Sequence, residues 1–321
     1  MTIKTITILG GAGFVGSSIV AKLDQLGYKV KVLSRRREAA NHLILLPNVQ
    51  VVNCDIADNH ALKKALKGSN AVINLVGILH ENSKNSFEKI HHQLPRRVAQ
   101  MCEELSIARL LHMSALQASK NAPSAYLKSK AAGEAAVNEF SKKLDITIFK
   151  PSVVFGRGDS FVNLFANLVR YLPVIALAKP NAKFQPIWVE DVAQCFVNAL
   201  ENTATYGKSY ELGGPTVYTL KALVQKVMAI LGKQRPIIGL NDGLSMAQGF
   251  MLELMPIKLM TRDNIRSMQV DNVCAASIAT ELDVVPTSLD VVAPEYLLDI
   301  SPRAGYDAFR SAAGRAINAR K

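Results

Sequence analysis

The sequence predicts an α/β protein: a doubly wound parallel sheet with a smaller α/β domain interleaved at its C-terminal end. Three observations lead to that fold class. Short apolar runs alternate with segments of helical periodicity from residue 3 to residue 156, the pattern of strands linked by crossover helices. The first run, Ile6-Thr7-Ile8-Leu9, leads through Gly10-Gly11-Ala12-Gly13-Phe14-Val15-Gly16 into a helix-patterned stretch. Beyond residue 157 strand and helix patterns continue with no repeat and no low-complexity linker, so the second half is expected to interleave with the first.

Composition narrows the function classes. The chain has 321 residues, 49% hydrophobic and 20% charged, which is ordinary for a globular protein. Cys54, Cys102, Cys195 and Cys274 show no paired spacing, so neither a disulfide framework nor a metal site is expected, and a reducing, cytoplasmic setting is. Residue 4 is charged and the first apolar run ends at a glycine turn, so no secretory leader is expected, and no stretch is long and apolar enough to span a bilayer. The formal net charge is +12. With 6% aromatics and no known nucleic-acid module, a solvated basic surface is the preferred reason and no nucleic-acid partner is expected. An acidic ligand or a peripheral contact with the anionic inner face of a membrane is compatible with the charge.

Taken in order, each element carries a reason. In the glycine stretch Gly10 permits a sharp turn, Gly13 lets the backbone approach a diphosphate, and Gly16 lets the helix lie close on the strand. Ile19, Val20, Leu23 and Leu26 give the following segment one apolar face, and its N-terminus offers free N–H groups to phosphates. The spacing is G-x-x-G-x-x-G; strand before and helix after favour dinucleotide binding over a plain tight turn. The second strand, Tyr28 to Leu33, runs into Ser34-Arg35-Arg36-Arg37. A site for NAD carries Asp or Glu near this position; serine and guanidinium groups suit a 2′-phosphate, so NADP(H) is expected rather than NAD(H). Val49 to Cys54 is the third strand, and Asp55-Ile56 closes it; Asp55 is placed to accept from an adenine amino group or to cap the next helix. Asn59 to Leu66 reads as a short helix and Ala71 to Val76 as the fourth strand, ended by Gly77. Phe87 to Leu105 is a longer helix, interrupted or bent near Pro95, that carries His91 and His92.

Ala108 to Met113 is the fifth strand and ends at Ser114. Ser124 is an N-cap for the helix that follows, and Tyr126 and Lys130, four apart, share one of its faces. A cationic Lys130 beside Tyr126 is expected to lower the phenol pKa, so that Tyr126 exchanges a proton with a carbonyl oxygen held by Ser114. Ile146 to Val154 is the sixth strand, carrying Lys150-Pro151-Ser152 and ending in Phe155-Gly156. In the second half Phe161 to Leu172 reads as an amphipathic helix, Lys183 to Val189 as extended, Glu190 to Leu200 as helical and Ser209 to Leu212 as a strand. Thr219 to Leu231 reads as a helix capped by Thr219 and stopped at Gly232. Leu244 to Met260 sets Met246, Met251, Met255 and Met260 among Leu, Phe and Ile; it is read as a lid or core helix, with an apolar mouth for a lipidic substrate or a membrane-complex contact as the sharper alternative. The tail from Ser301, with Arg303, Arg310, Arg315, Arg320 and Lys321, reads as a solvated helix or a dock on an anionic bilayer face.

These residues together resemble the short-chain dehydrogenase/reductase superfamily on its extended and atypical side. The carriers are Gly10/Gly13/Gly16, Asp55, Ser114, Tyr126/Lys130, Lys150-Pro151-Ser152, Phe155-Gly156 and Ile187 to Ala193. Within it, residues 129–134, 150–157, Thr261-Arg262-Asp263-Asn264 and Gln269-Val270-Asp271-Asn272 are similar to one group. That group holds the nucleotide-binding accessory subunit of respiratory complex I, its bacterial relatives and a protein of coenzyme Q biosynthesis. The resemblance implies a Rossmann-type domain over 1–156, rejoined by 188–213, and a smaller substrate or partner domain over 157–321. It places a dinucleotide along Gly10, Ala12, Gly13, Phe14, Val15, Gly16, Ser34, Arg35, Arg36, Asp55, Ile56, Leu75, Val76, Gly77, Lys130, Lys150, Pro151 and Val153. The catalytic set it implies is Ser114, Tyr126 and Lys130. For the complex I subunit the resemblance implies a bound NADPH with a structural role. The chain departs from the active pattern in carrying His91 where many members carry Asn, and in a loop before Tyr126 shorter than that of sugar-nucleotide epimerases. An oxidoreductase or accessory protein of a respiratory or quinone-biosynthesis complex is therefore expected, with a small, lipidic or quinone-like substrate. A non-catalytic NADPH module and a sugar-nucleotide epimerase or dehydratase are the alternatives.

Overall fold

A computed structural model describes residues 3–83, 85–255 and 260–298. Apolar runs make the strands β1 (Thr5–Leu9), β2 (Lys29–Ser34), β3 (Val49–Asn53), β4 (Ala71–Asn74), β5 (Arg109–Met113) and β6 (Asp145–Pro151), buried on both faces at the centre of the sheet and only partly buried in the edge strand β3. Between them lie α1 (Phe14–Gln25), α2 (Asn59–Leu66), α3 (Leu94–Glu104) and α4 (Ala125–Asn138). The second half supplies β7 (Val154–Phe155), α5 (Val162–Tyr171), β8 (Ile175–Ala178), β9 (Lys183–Phe184), β10 (Ile187–Trp188), α6 (Val189–Ala199), β11 (Lys208–Leu212), β12 (Tyr218–Thr219) and α7 (Leu220–Ile230). It closes with β13 (Ile237–Leu240), α8 (Asp242–Glu253), α9 (Arg262–Ser267) and α10 (Leu289–Leu297).

The main sheet has seven strands in the order β11-β6-β5-β4-β1-β2-β3, and every pairing is parallel. This is the doubly wound sheet that the alternation of patterns predicts. β11 enters from the second half of the chain and pairs with β6, Tyr210 opposite Phe149. One face is covered by α1 and α6, where Ile19, Leu23 and Phe196 bury fully against Ile8 and Phe149. The other is covered by α2, α3 and α4 through Leu62, Leu66, Val98, Cys102 and Val137. A separate core joins α5, α7 and α10 through Phe165, Leu223, Val227 and Val292. No helix among the described residues is long and apolar enough to cross a membrane.

Three expectations change. The helix read from Phe87 is a π-helical turn over Glu88–Gln93 that runs straight into α3, and Pro95, which has no N–H to give, lies one residue past the change of pitch. α2 is capped by Asp58, whose carboxylate accepts from the N–H groups of His60 and Ala61, and not by Asp55. α8 is not a core helix: its inward side is Ser245 and Gly249, while Leu244, Phe250 and Met251, and Leu254 and Met255 just past its end, are exposed. Small residues face inward because Gly249 lies against Ile265, where a Cβ would collide. Residues 256–259 of the methionine-rich stretch and the basic tail from Ser301 lie outside the described residues.

Candidate active site

In a parallel sheet the strand ends share one edge, and the candidate residues gather there. After β1 the chain turns at Gly10, with φ +81°, and the Gly13 N–H donates to the Gly10 carbonyl at 3.0 Å. A Cβ on Gly16 would collide with that same carbonyl, so only glycine lets α1 start so close to the strand. Gly13 is the N-cap of α1, with no side-chain cap and no acidic residue in the first turn. The N-terminus is thus left with unspent N–H groups and its partial positive charge, which suits a diphosphate. Phe14 sits close to Gly156 across the site.

At the end of β2 the Ser34 hydroxyl donates to the Arg36 carbonyl at 2.7 Å and accepts from the Arg36 N–H at 3.3 Å. Arg35 and Arg36 are exposed beyond this turn. At the end of β3 an Asp55 carboxylate oxygen accepts from the Ala57 N–H at 3.0 Å, and the Ile56 carbonyl accepts from Arg97 at 3.2 Å. At the end of β4, Leu75 and Val76 lie against Gly10. Gly77 follows, and the position its Cβ would occupy is 3.2 Å from Lys130 Nζ and 3.5 Å from His91 Nε2.

Tyr126, Lys130 and Glu134 fall at i, i+4 and i+8 on α4, so all three share one face. Lys130 is buried and donates to the Met113 carbonyl at 3.2 Å. Burial pushes its ammonium down to about 8, with Glu134 opposing the shift. Burial pushes the Tyr126 phenol up to about 12. The expectation that Lys130 lowers the Tyr126 pKa is therefore corrected: desolvation of the phenol outweighs any pull from the lysine, whose proton is directed to a backbone carbonyl. The Ser114 hydroxyl, expected to hold a carbonyl oxygen, donates to Glu134 Oε1 at 2.5 Å. Glu134 Oε2 pairs with Lys150 at 2.6 Å, so Ser114, Glu134 and Lys150 form one chain. Pro151 ends β6, and the Val153 N–H donates to the Asn272 side chain at 3.2 Å.

His91, expected to replace the Asn of the active pattern, is buried beside Lys130 and Tyr126. Its Nε2 accepts from the Ile78 N–H at 3.0 Å, and its Nδ1 contacts the Ser129 hydroxyl at 2.8 Å. Ser129 spends its own proton on the Tyr126 carbonyl at 2.7 Å, so His91 carries its hydrogen on Nδ1. Burial first, then Lys130 and His112, push His91 down to about 3, and it is neutral. Its ring stacks on Phe87, centroids 5.3 Å apart, and meets Tyr126 edge-on at 5.5 Å. The π-helical turn that carries His91 packs so tightly on α4 that a Cβ on Gly133 would collide with the His91 carbonyl. His112 was not singled out by sequence. It is buried, receives an N–H of Asn74 on Nδ1 at 3.3 Å, and leaves Nε2 without a partner. Its only signal was a histidine inside an apolar strand run.

Comparison with known proteins agrees with this fold. The profile of the NAD dependent epimerase/dehydratase family matches residues 6–213. The chain is 31% identical over 301 residues to NADH dehydrogenase (ubiquinone) 1 alpha subcomplex subunit 9, mitochondrial, of Rattus norvegicus, covering 91% of this chain and 79% of that protein. Among solved structures, an NADPH-dependent quinone oxidoreductase of Escherichia coli complexed with NADPH aligns with a TM-score of 0.74 at 17% identity, over 91% of this chain and 99% of the other. UDP-glucuronic acid 4-epimerase of Bacillus cereus, in complex with UDP-glucuronic acid and NAD, gives 0.70 at 18% identity over 92% and 100%. At these identities the two structures establish the fold.

Proposed function

The chain belongs to the NAD dependent epimerase/dehydratase family, and on that premise we propose that it is an NADP(H)-binding accessory protein of a respiratory assembly. The observation that carries the reading is the dinucleotide edge: a glycine turn, an uncapped and acid-free α1 N-terminus, and a β2 end that offers Ser34, Arg35 and Arg36. The turn from Gly10 to Gly16 would hold the diphosphate. Arg35 and Arg36 would hold a 2′-phosphate, and Asp55 and Ile56 would lie at the adenine. Leu75, Val76, Gly77, Pro151 and Val153 would line the way to Lys130 and Tyr126. Residues 1–156 with 188–213 form the cofactor unit in this reading, and the rest of 157–321 faces substrate or partner.

The respiratory link rests on the 31% identity to a complex I subunit over most of both chains. A contact surface for such an assembly, or for the inner face of its membrane, is available on α8. Leu244, Ala247, Phe250 and Met251 are exposed on it, and Leu254 and Met255 just past its end. The Ser114–Glu134 bond supports a held rather than turned-over cofactor, because the serine proton is already spent. In this reading NADPH bound by the purified protein leaves over hours on dilution into excess NADP⁺; release within seconds would contradict it.

A second reading, an oxidoreductase for a carbonyl or quinone-like substrate, is favoured by Tyr126, Lys130 and Glu134 on one face of α4. A bound nicotinamide supplies the hydride there. Tyr126 would donate the proton to the reduced oxygen, and Lys130 would keep positive charge beside it. Under this reading Tyr126→Phe lowers turnover at least about a hundredfold and leaves NADPH affinity unchanged. Equal turnover of variant and wild type would remove it. A sugar-nucleotide epimerase is the least supported, since the β2 end offers Ser34 in place of the carboxylate expected for NAD.

A further inference from the structure

Two stretches singled out by sequence, 261–264 and 269–272, hold none of the residues expected to bind cofactor or carry chemistry, though Asn272 contacts Val153. The structure gives each an attachment at the edge of the site. Thr261 and Asn264 form a reciprocal capping box that opens α9: the Asn264 N–H donates to the Thr261 hydroxyl at 3.2 Å, and the Thr261 N–H to the Asn264 side chain at 2.9 Å. Arg262 fixes α9 to α8, its backbone N–H and Nε donating to Glu253 at 2.6 and 2.9 Å. Asp263 then reaches across to α4. One carboxylate oxygen accepts from the Ala125 N–H at 2.8 Å, the other from the Tyr126 N–H at 3.0 Å. In the second stretch Asn272 accepts from the Ser152 hydroxyl at 2.5 Å and from the Val153 N–H at 3.2 Å.

The first N–H groups of a helix have no partner within the helix and are met by capping side chains or by water. Here all three at the start of α4 are spent: Ser124 accepts from Leu127 at 3.2 Å, and Asp263 takes the other two. A carboxylate opposite a helix N-terminus is attracted by the helix dipole, and a bidentate contact also fixes direction. The residue so held is Tyr126 itself. We propose that Asp263 is a positioning residue: it fixes the first turn of α4, and through it the placement of Tyr126 and Lys130 against the nicotinamide half of the cofactor. The assignment rests on the cofactor reading given above. Asp263 is bonded to α4 backbone groups and acts through them.

The test compares two ligands on the full-length protein. NADPH engages the whole edge. Adenosine 2′,5′-bisphosphate engages only the half served by the glycine turn and the arginines. Asp263→Asn keeps the size but lets only one oxygen accept, so NADPH should bind about tenfold more weakly, through faster release. Adenosine 2′,5′-bisphosphate should bind it as it binds the wild type. Asp263→Glu, which keeps the charge, should recover part of the NADPH affinity. Equal weakening of both ligands, or weakening of neither, would overturn the assignment, as would failure of both variants to fold. If the wild type binds neither ligand, the cofactor reading itself fails, which is a distinct result.

Discussion

Arg109→Met should cost about 4 kcal/mol of folding stability, read as a lowered denaturation midpoint at an unchanged slope. Arg109 opens β5 at 2% exposure, yet its guanidinium has no carboxylate among its hydrogen-bond partners. It donates instead to the carbonyls of Leu200 at 3.0 Å, Asp145 at 2.8 Å and Ala199 at 2.7 Å. It also donates to the hydroxyls of Thr147 at 2.8 Å and Thr205 at 3.0 Å. The Tyr206 ring covers it at 4.4 Å. The carbonyls of Ala199 and Leu200 are end groups of α6 that no further turn satisfies. One side chain therefore closes the C-terminus of α6 and ties it to β5 and β6. Burial pushes Arg109 down to about 10, with Tyr206 and Asp145 opposing the shift, so it is still charged at neutral pH. Methionine fills much of the volume but leaves buried acceptors unpaired, each worth about 1–3 kcal/mol. Against a total of roughly 5–15 kcal/mol that loss leaves little margin. Arg109→Lys, with three donors, should recover about half. A methionine variant as stable as the wild type would show that water replaces these bonds.

Gly16→Ala should weaken NADPH binding about a hundredfold, close to 2.7 kcal/mol, while the chain still folds. The added methyl group would meet the Gly10 carbonyl and the Gly11 Cα, both backbone atoms with no rotamer to escape into. Relief requires α1 to move away from the turn, and the first-turn N–H groups move with it. Gly27→Ala is the matched control. Gly27 has φ +80° and open space around its missing Cβ, at the far end of α1. It should lower stability by about 1 kcal/mol and leave NADPH affinity alone. Equal effects of the two variants on binding would mean that α1 stability, rather than the turn, controls the site.

The sequence and the structure agree where a short-range pattern decides the outcome. α2 spans the residues that its apolar spacing marks, and Ser124 and Thr219 cap α4 and α7 because an N-cap is a local contact. The glycine turn was legible because strand, turn and helix are contiguous. The π-helical turn over Glu88–Gln93 was not, since one extra residue per turn hardly alters an apolar pattern. α8 was misread because Leu and Met at helical spacing look like a core face, whereas close packing on Ile265 demands glycine inward. The Asp263 contact joins residues 137 and 138 apart, and no local pattern announces it. The Tyr126 pKa went the other way because proximity in a helix says nothing of desolvation. Arg109 had a signal that went unused: a charge inside a buried strand needs partners from elsewhere in the fold.

The most direct measurement is a fluorescence titration of the purified protein with NADPH and with NADH, repeated on Arg35→Glu. The wild type should bind NADPH at least about tenfold more tightly than NADH, and the variant should lose that preference through repulsion of the 2′-phosphate. Binding of neither dinucleotide, tighter binding of NADH by the wild type, or a preference unchanged in the variant would contradict the assignment of this edge to NADP(H).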